Sequence, residues 1–432
     1  MNIFVRESTM VYPAEKTRST KLWISNLDLM VAHIQIPCVY FYRPNSASNF
    51  FDIKVMKEAL SRALVPFYPM AGRMKEDKDG RIELDCQGQG VLFVEAESNG
   101  VIDDLGDFAP TLEVQKLIPV VDYSLGLESS PLLLVQVTNF KCGGVCVGVS
   151  MHHVVVDGVA GFNFINTWSD MARGLNLNVP PIMDRTLLRA RHPPQPMFKH
   201  VEYQPTKTMA KTTSDEIAVS VYKLTRDQLN VLKRKFKQDN SMINYSTFEL
   251  LSGHIWKCAS TARGLPVDQE TKLYVHVDAR ARLKPALSVG YFGNAVLTTT
   301  PVALAGEIQS NTSWYAASKV HDILTTMNND YVRSTIDYLE LSDVMALTCD
   351  IAETYKSSNF AITSWTTLPI HDADFGWGRP IFMGPGGITL EGLAFVLPSP
   401  VKDGSLSIVI SLQAQHMRLF RKLFYELFLI NS

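Results

Sequence analysis

The sequence of 432 residues has little net charge, few cysteines and no long apolar run. Its formal charge of −2 argues against a nucleic-acid-binding protein, which would normally present a broad basic face. The most apolar stretch, residues 143–162, contains two His and one Asp, so no membrane span is predicted. Charges scattered over residues 1–20 leave no room for the apolar core of a secretory signal. The six cysteines show no C-x-x-C spacing, and we therefore expect a reducing compartment, the cytoplasm.

Several common catalytic motifs are absent as well. Without a G-x-S-x-G sequence, a serine hydrolase is disfavoured. The glycine-rich residues 384–387 (GPGG) lack the Lys-Ser/Thr of a phosphate-binding loop and predict a turn instead. His152 and His153 have no partner at the spacing of a zinc site, so we expect no metal.

The length predicts two domains, because a single hydrophobic core stops growing well below this size. Six prolines lie within residues 178–210, where periodicity is weak, and they mark a connection. The prediction is an N-terminal domain (residues 1–178), a linker (179–215) and a C-terminal domain (216–432). Apolar periodicity predicts helices at 50–65, 159–173, from 225, 315–329 and 414–428, and strands at 81–86, 132–137, 145–151, 217–224, 362–365 and 405–412. This mixture indicates an α/β fold with mixed sheets.

Residues 152–158 (HHVVVDG) carry the most chemistry. The pattern places His153 at a turn between a strand and a helix, where an imidazole can act as a general base at neutral pH. A plain turn histidine fits this segment equally well. Asp157 directly precedes the predicted helix, so we favour a capping role over proton chemistry for its carboxylate.

Two further segments admit two interpretations each. Residues 233–237 (KRKFK) are the one dense basic run, which predicts a solvated helix face or, alternatively, a phosphate contact. Residues 374–378 (DFGWG) predict a tight structural turn, because glycine adopts backbone conformations that other residues avoid.

In combination and order, His153-x-x-x-Asp157-Gly158, the sequence YFGN at 291–294 and DFGWG at 374–378 resemble the plant BAHD acyl-CoA-dependent acyltransferases. Residues 7–11, 63–73 and 372–380 extend the resemblance to the shikimate/quinate hydroxycinnamoyltransferase branch along nearly the whole chain. The resemblance implies two chloramphenicol-acetyltransferase-like domains with a solvent channel between them.

The resemblance also implies roles for individual residues. His153 is implied as the general base, while Thr363 and Trp365 match the residues that line the oxyanion position. Asp157 is expected to pair with an Arg of the D-x-R-x-R segment. Structural support is implied for Asp157, Gly158, Arg280, Arg282, Asp374, Gly376, Trp377 and Gly378, and CoA contacts for Lys233, Tyr245, Ser246 and Thr247.

The acceptor side departs from the branch. Where the branch that uses shikimate has His-Thr-Pro-Ser, this chain has QIPC at 35–38, so Gln35, Ile36 and Cys38 are candidate acceptor-binding residues. The Arg that receives the acceptor's carboxylate aligns with Asp350, and such an exchange would repel an anionic acceptor. Thr367 replaces an Arg near the CoA phosphates. We therefore expect a neutral alcohol or an amine as acceptor.

The predicted function is transfer of a p-coumaroyl or caffeoyl group from CoA to a hydroxyl acceptor. N-acylation of an amine is the first alternative, and a catalytically silent acyl-CoA-binding relative is the second. We expect no cofactor, since the acyl-CoA is a co-substrate, and a monomer without nucleic-acid or membrane partners.

Overall fold

The computed structural model describes residues 1–429 apart from residues 32, 205–215, 238–242, 350–353 and 355–357. Within them the strands are β1 (Ile3–Val11), β2 (Thr20–Trp23), β3 (Gln35–Tyr42), β4 (Arg73–Glu76), β5 (Ile82–Cys86), β6 (Val91–Ser98), β7 (Leu133–Phe140), β8 (Val145–His152), β9 (Ile217–Leu224), β10 (Glu270–Asp278), β11 (Val296–Thr299), β12 (Val302–Leu304), β13 (Phe360–Ser364), β14 (Phe382–Pro385), β15 (Leu393–Pro398) and β16 (Leu406–Gln413). The helices are α1 (Asn26–Leu29), α2 (Ile53–Ala63), α3 (Leu112–Gln115), α4 (Gly158–Ala172), α5 (Arg226–Lys237), α6 (Thr247–Ala262), α7 (Ala305–Ser310), α8 (Ser313–Thr326), α9 (Asn329–Glu340), α10 (Val344–Cys349) and α11 (Ala414–Leu429).

The chain forms two compact units that do not follow its linear order. Unit 1 contains residues 1–190, 286–295 and 368–387, and unit 2 contains residues 191–285, 296–367 and 388–432. This differs from the expected division, which assigned both YFGN and DFGWG to a C-terminal domain. Hydrogen bonding explains the difference. Strand β14, just after DFGWG, pairs antiparallel with β3, and Asn294 of YFGN donates to Asp28.

Unit 1 is built on a mixed six-stranded sheet in the order β1-β6-β7-β8-β3-β14, beside a small sheet β2-β5-β4. Only the β6–β7 pair in the large sheet is parallel. Asp52 is the N-cap of helix α2, and its side chain accepts from the Val55 amide. The helix buries Met56, Ala59, Leu60 and Ala63 at helical spacing. The indole Nε1 of Trp168 in α4 donates to the Met56 carbonyl at 3.0 Å, which ties α4 to α2.

Unit 2 contains a second mixed sheet of seven strands, β11-β10-β13-β15-β16-β9, with β12 paired to β10. Strand β13 runs parallel to both of its neighbours, β10 and β15. Helix α6 begins with a reciprocal cap between Ser246 and Glu249 and is buried on most sides, which places it in the core of the unit. The chain therefore has the predicted α/β class with mixed sheets in both units.

Most of the predicted elements are present, but the predicted C-terminal end of one helix was wrong. The expected helix at 315–329 ends at Thr326, and a new helix begins at Asn329. Asn328 caps it, because its side-chain oxygen accepts from the amides of Asp330 and Tyr331. In the described part of the chain, no helix has the length and apolar character needed to cross a bilayer.

Candidate active site

His153 lies just after β8, at the turn that leads into α4, as the sequence predicted. Its amide donates to the Ile34 carbonyl at 3.0 Å, so the backbone is anchored next to β3. Its side-chain Nδ1 lies 3.2 Å from the Val156 carbonyl oxygen. A carbonyl oxygen only accepts hydrogen bonds, so the neutral ring carries its proton on Nδ1 and leaves the Nε2 lone pair available.

The surroundings of His153 favour the neutral form of its imidazole. Burial lowers the pKa of His153 below its ordinary value, and the Asp157 carboxylate and the Val156 carbonyl offset this only in part. The side chain remains partly exposed. A neutral, partly exposed imidazole with a free Nε2 lone pair has the form that a general base requires.

The neighbouring His152 differs sharply from His153. It is 1% exposed, and neither ring nitrogen has a hydrogen-bond partner among the described residues. Burial lowers the pKa of His152 to about 3. A group with so low a pKa is a weak base at neutral pH, so the two adjacent histidines are not chemically equivalent.

Asp157 is the N-cap of α4 and is 2% exposed. One carboxylate oxygen accepts from the Ala160 amide at 3.0 Å, and the other accepts from the Ala295 amide at 2.9 Å. The carboxylate therefore caps α4 and also holds the segment that follows YFGN.

The two arginines expected near Asp157 have other interactions in unit 2. Arg280 is buried and forms an ion pair with Asp278 at 3.0 Å. Arg282 donates to the carbonyls of Leu324 and Met327, at the C-terminal end of α8, where a cation complements the helix dipole. The pairing of Asp157 with one of these arginines stays a prediction.

Three residues to which the sequence analysis assigned no individual role surround the turn after His153. Asn294 Nδ2 donates to the His153 carbonyl at 2.8 Å. Arg185 donates to the carbonyls of Val154 at 3.2 Å and Val155 at 2.7 Å. Both side chains also contact the carboxylate of Asp28. Arg185 forms an ion pair with it at 3.0 Å, and Asn294 Nδ2 donates to it at 3.0 Å.

Local sequence held only weak signals for these three residues. Asp28 follows Ser25 at capping-box spacing, and the structure shows that reciprocal cap at α1. Asn294 closes the YFGN motif, whereas Arg185 stands in no recognisable pattern. Their association is therefore a product of the tertiary fold.

The DFGWG segment forms the tight turn that the sequence predicted. Asp374 Oδ1 accepts from the amides of Gly376 at 2.8 Å and Gly378 at 2.9 Å. Both glycines have φ angles near +105°, at +104° and +107°, which disfavour residues with a Cβ. Trp377 packs against Phe51 with ring centroids 4.9 Å apart, so this turn supports unit 1 through packing. Similarly, Gly158 leaves room for Leu368, whose Cδ1 would lie 3.1 Å from an added Cβ.

The expected acceptor-binding residues fall on two faces of β3. Gln35 pairs with His152, donates to the Pro131 carbonyl and accepts from Ser150. Ile36 and Cys38 point to the opposite face, because side chains alternate along a strand. Cys38 is 3% exposed, and burial raises the pKa of its thiol to about 12. The structure thus separates Gln35 from the other two, while Asp350 lies outside the described residues.

In unit 2, Thr363 and Trp365 lie at the end of β13. Thr363 is partly exposed and pairs with Phe395 of the parallel strand β15. The Trp365 amide donates to the Val396 carbonyl at 2.8 Å, and its ring meets the Phe395 ring at 5.3 Å. Both residues are therefore held by the sheet backbone.

A cleft of about 600 Å³ opens in unit 2, and its lining includes Ser364 and Thr366, the sequence neighbours of these two residues. It is lined by Arg226, Leu229, Asn230, Lys233, Thr247, Phe248, Leu251, Ser364, Thr366, Val396, Lys402, Asp403, Gly404 and Leu406. Lys233 and Thr247, two of the four expected CoA-binding residues, are thereby brought together. Ser246 instead uses its hydroxyl to cap α6, and Tyr245 is buried against the His321 ring.

Positive charge predominates in this cleft. Arg226, Lys233 and Lys402 face one carboxylate, Asp403, which accepts hydrogen bonds from the amide and hydroxyl of Ser405. Lys402 belongs to the hairpin between β15 and β16 and has a φ of +53°. A concave surface of this size with three cations suits a polyanionic ligand.

Metal-binding side chains do not cluster in the described ranges. There, no three or more His, Cys, Asp or Glu side chains come together in a way that could hold a metal ion. The pair Cys258 and His254 is close, with Sγ 3.7 Å from Nε2, but His254 Nε2 also lies 2.9 Å from the Phe424 carbonyl. Burial lowers the pKa of His254 to about 4 and raises that of the Cys258 thiol, so this is a packed core pair.

Comparison with known proteins places this geometry in context. The model of the transferase family matches residues 1–427. Among curated proteins, the chain is 62% identical to a shikimate O-hydroxycinnamoyltransferase from Nicotiana tabacum, covering 99% of this chain and 100% of the relative. It is 52% identical to a hydroxycinnamoyl-CoA:5-hydroxyanthranilate N-hydroxycinnamoyltransferase from Avena sativa, covering 98% and 99%. The crystal structure of vinorine synthase is similar in fold, with a TM-score of 0.76 at 20% identity over 97% of this chain and 96% of that one.

Proposed function

Because the chain belongs to the transferase family of BAHD acyl-CoA-dependent acyltransferases, we propose that it transfers a hydroxycinnamoyl group from CoA to a hydroxyl acceptor. The family resemblance read from the three motifs is confirmed, and the chain is an acyltransferase. The observation that carries the proposal is the partly exposed imidazole of His153, whose Nδ1 lies 3.2 Å from the Val156 carbonyl oxygen and whose pKa is lowered by burial. The p-coumaroyl and caffeoyl thioesters are the proposed donors.

In the proposed reaction, His153 Nε2 takes the proton of the acceptor hydroxyl while the oxygen attacks the thioester carbonyl. The carbonyl electrons move onto oxygen and give a tetrahedral oxyanion. When this intermediate collapses, the C–S bond breaks, and His153 returns its proton to the CoA thiolate. The products are an ester and free CoA, and the histidine regains its starting state.

The proposed oxyanion donors are the Thr363 hydroxyl and the Trp365 indole N–H. Support comes from their backbone anchoring at the end of β13, since donors fixed before the reaction cost no reorganisation when charge develops. A Trp365→Phe variant keeps an aromatic side chain, although a smaller one, and loses the indole N–H donor. We expect its kcat to fall while the KM for the donor stays close to the parent value.

The phosphates of CoA are proposed to bind the basic cleft of unit 2. Lys233 and Thr247, two of the CoA-binding residues predicted from the sequence, line this cleft. Lys402 on the β15–β16 hairpin adds a positive charge to it. Thr367, which stands where the branch has an Arg, carries no charge. We expect Lys402→Ala to weaken CoA binding about tenfold, the loss of one charged hydrogen bond. The effect should shrink as salt is added, because exposed charges are screened.

Calorimetry of CoA binding at two salt concentrations tests the role of Lys402. Lys54→Ala is the matched control, because this lysine is 83% exposed on α2 in unit 1. An equal Kd for Lys402→Ala and the parent at low salt would remove Lys402 from the site. Repeating the titration with dephospho-CoA, which lacks the 3′-phosphate, shows which phosphate the lysine meets.

For the acceptor, we propose a neutral alcohol that faces Ile36, which is partly exposed near the start of β3. This side chain is apolar, so it offers no partner to a carboxylate, while Cys38 lies buried on the same face of the strand. The second candidate is amine acylation, which is favoured by the 52% identity to a relative named an N-hydroxycinnamoyltransferase. For this alternative, Asp350 would be the residue that pairs with an ammonium ion.

The decisive test of the base replaces the two adjacent histidines separately. His153→Ala should lower kcat about 10²- to 10⁴-fold, the usual contribution of a general base. His152→Gln should keep the parent kcat, because its pKa of about 3 makes it a poor base. Parent-like turnover in His153→Ala would overturn the mechanism.

The acceptor is tested by supplying p-coumaroyl-CoA with shikimate, a neutral phenolic alcohol or an aryl amine in separate reactions, followed by mass spectrometry. An ester with the neutral alcohol supports the proposal, and an amide as the main product favours the second candidate. Efficient use of shikimate would overturn the neutral acceptor and retain hydroxycinnamoyl transfer. Asp350→Arg is then compared with the parent on the same panel.

We also propose that the enzyme works as a cytoplasmic monomer without a cofactor. Five cysteines in the described part of the chain are free thiols, as is usual in a reducing compartment. Size-exclusion chromatography with light scattering tests the monomer, and a fluorescent fusion tests the compartment. Activity that survives exhaustive dialysis against EDTA would agree with a reaction needing only the acyl-CoA and the acceptor.

A further inference from the structure

We propose that Asp28, Arg185 and Asn294 form a buried carbonyl clamp that positions His153 for proton transfer. The inference rests on the proposed role of His153 as the base. It concerns three residues of unit 1 that belong to different segments of the chain and meet at one carboxylate. All three are positioning residues that act through the backbone of the turn.

The need for a clamp arises from the turn itself. Residues 153–156 leave strand β8 before helix α4 begins, so their carbonyls lack the regular partners of a strand or helix. The side chains of Val154 and Val155 are fully buried, which keeps water away from this backbone. A buried carbonyl without a hydrogen-bond partner costs free energy of folding. Without fixed partners, the backbone of this turn could also adopt other conformations of similar energy.

The clamp satisfies these carbonyls one after another. Asn294 holds the carbonyl of residue 153, and the guanidinium of Arg185 forks across those of residues 154 and 155. The carbonyl of residue 156 receives the Nδ1 proton of His153 itself. Fixing the first three carbonyls therefore fixes the fourth, which orients the imidazole and selects its tautomer.

Asp28 connects the two donors. Its Oδ1 accepts from the Asn294 amide at 2.7 Å and from Asn294 Nδ2, and it pairs with Arg185, while its Oδ2 accepts from the amide and hydroxyl of Ser25. Asp28 is 0% exposed and Arg185 is 2% exposed. A planar guanidinium reaches one carboxylate and two carbonyls at once, which a lysine ammonium cannot reproduce with the same geometry.

The two donor segments are also tied to each other. The Ile182 amide donates to the Gly290 carbonyl at 2.8 Å, and the Phe292 amide donates to the Ile182 carbonyl at 2.9 Å. Arg185 and Asn294 each lie only a few residues beyond this bridge. These bonds anchor both donor segments of the clamp. A catalytic side chain must be held within a fraction of an ångström, and such anchoring provides that precision.

The test compares Arg185→Lys with Arg263→Lys in the full-length protein. Arg263 is the matched control, because it is equally buried, pairs with Glu391 at 2.6 Å and donates to the Asn359 carbonyl, all within unit 2. Both variants should lower the urea midpoint. Only Arg185→Lys should lower kcat, by about 10²-fold, the usual effect of misplacing a catalytic group by about 1 Å. The KM for the acyl-CoA should stay near the parent value.

A second variant keeps the proposal testable if Arg185→Lys does not fold. Asn294→Ala removes the donor to the His153 carbonyl but retains its own amide bond to Asp28, and we expect the same selective loss of kcat. Equal losses of kcat in the Arg185 and Arg263 variants, or parent-like kcat in Arg185→Lys and Asn294→Ala, would overturn the clamp. A parent-like His153→Ala would instead overturn the proposed base, so the two failures are distinguishable.

Discussion

Replacing Asp157 by Ala tests whether its carboxylate is structural. The structure assigns the side chain two backbone donors, the amides of Ala160 and Ala295. Loss of a helix N-cap costs about 1 kcal/mol. Leaving the fully buried Ala295 amide without an acceptor adds about 1–3 kcal/mol. The expected local destabilisation is therefore about 2–4 kcal/mol.

Asp52 offers a matched control for this experiment. It is the N-cap of α2, accepts from the Val55 amide at 3.0 Å, and is exposed. Asp52→Ala should cost about 1 kcal/mol, because only the capping bond is lost. The difference between the two variants isolates the second role of Asp157.

Hydrogen exchange measured by mass spectrometry is the appropriate assay, because two units need not unfold in one step. A peptide covering residues 286–295 should exchange about 5- to 150-fold faster in Asp157→Ala, the equivalent of 1–3 kcal/mol. The same peptide should be unchanged in Asp52→Ala. Unchanged protection in Asp157→Ala would refute the structural assignment. Full protection combined with lost turnover in Asp157→Asn would instead favour proton chemistry.

Three further predictions follow from buried groups. Gly148→Ala should cost about 3 kcal/mol in urea unfolding, the upper range for overpacking, because its Cβ would lie 1.9 Å from a backbone oxygen. The lowered pKa values of His152 and His254 mean that protons bind preferentially to the unfolded chain. The free energy of unfolding should therefore be independent of these two histidines above pH 6.5 and fall by about 1.4 kcal/mol per histidine and pH unit from there towards pH 4. In urea titrations at several pH values, His254→Gln should reduce that slope. Trp377→Ala should cost about 3–5 kcal/mol by removing its packing on Phe51, measured by the same unfolding assay.

Local pattern was sufficient for much of the secondary structure. Apolar periodicity correctly predicted the strand at 217–224 and the helix from 414, because each element buries one apolar face. The cap at Asp157 and the turn at 374–378 were also predictable, since both use hydrogen bonds between residues close in sequence. Motif order was sufficient for the family.

Long-range pairing decided what pattern reasoning could not. The 286–295 and 368–387 segments join unit 1 because β14 pairs with β3 and Asn294 reaches Asp28, contacts between residues hundreds of positions apart. The pairing of β3 with β8 also shows that residues 35–38 form part of a strand, in which the neighbours Gln35 and Ile36 face opposite ways.

Residue chemistry thus determined that His153 can accept a proton, whereas the fold determined which groups surround its imidazole. An imidazole near neutral pKa is a property of the side chain, visible in the sequence. Its tautomer depends on a carbonyl at 3.2 Å, and that carbonyl's position depends on partners contributed by residues 28, 185 and 294. Hydrogen bonds act over about 3 Å, so only the folded chain can bring such distant residues within reach of one turn.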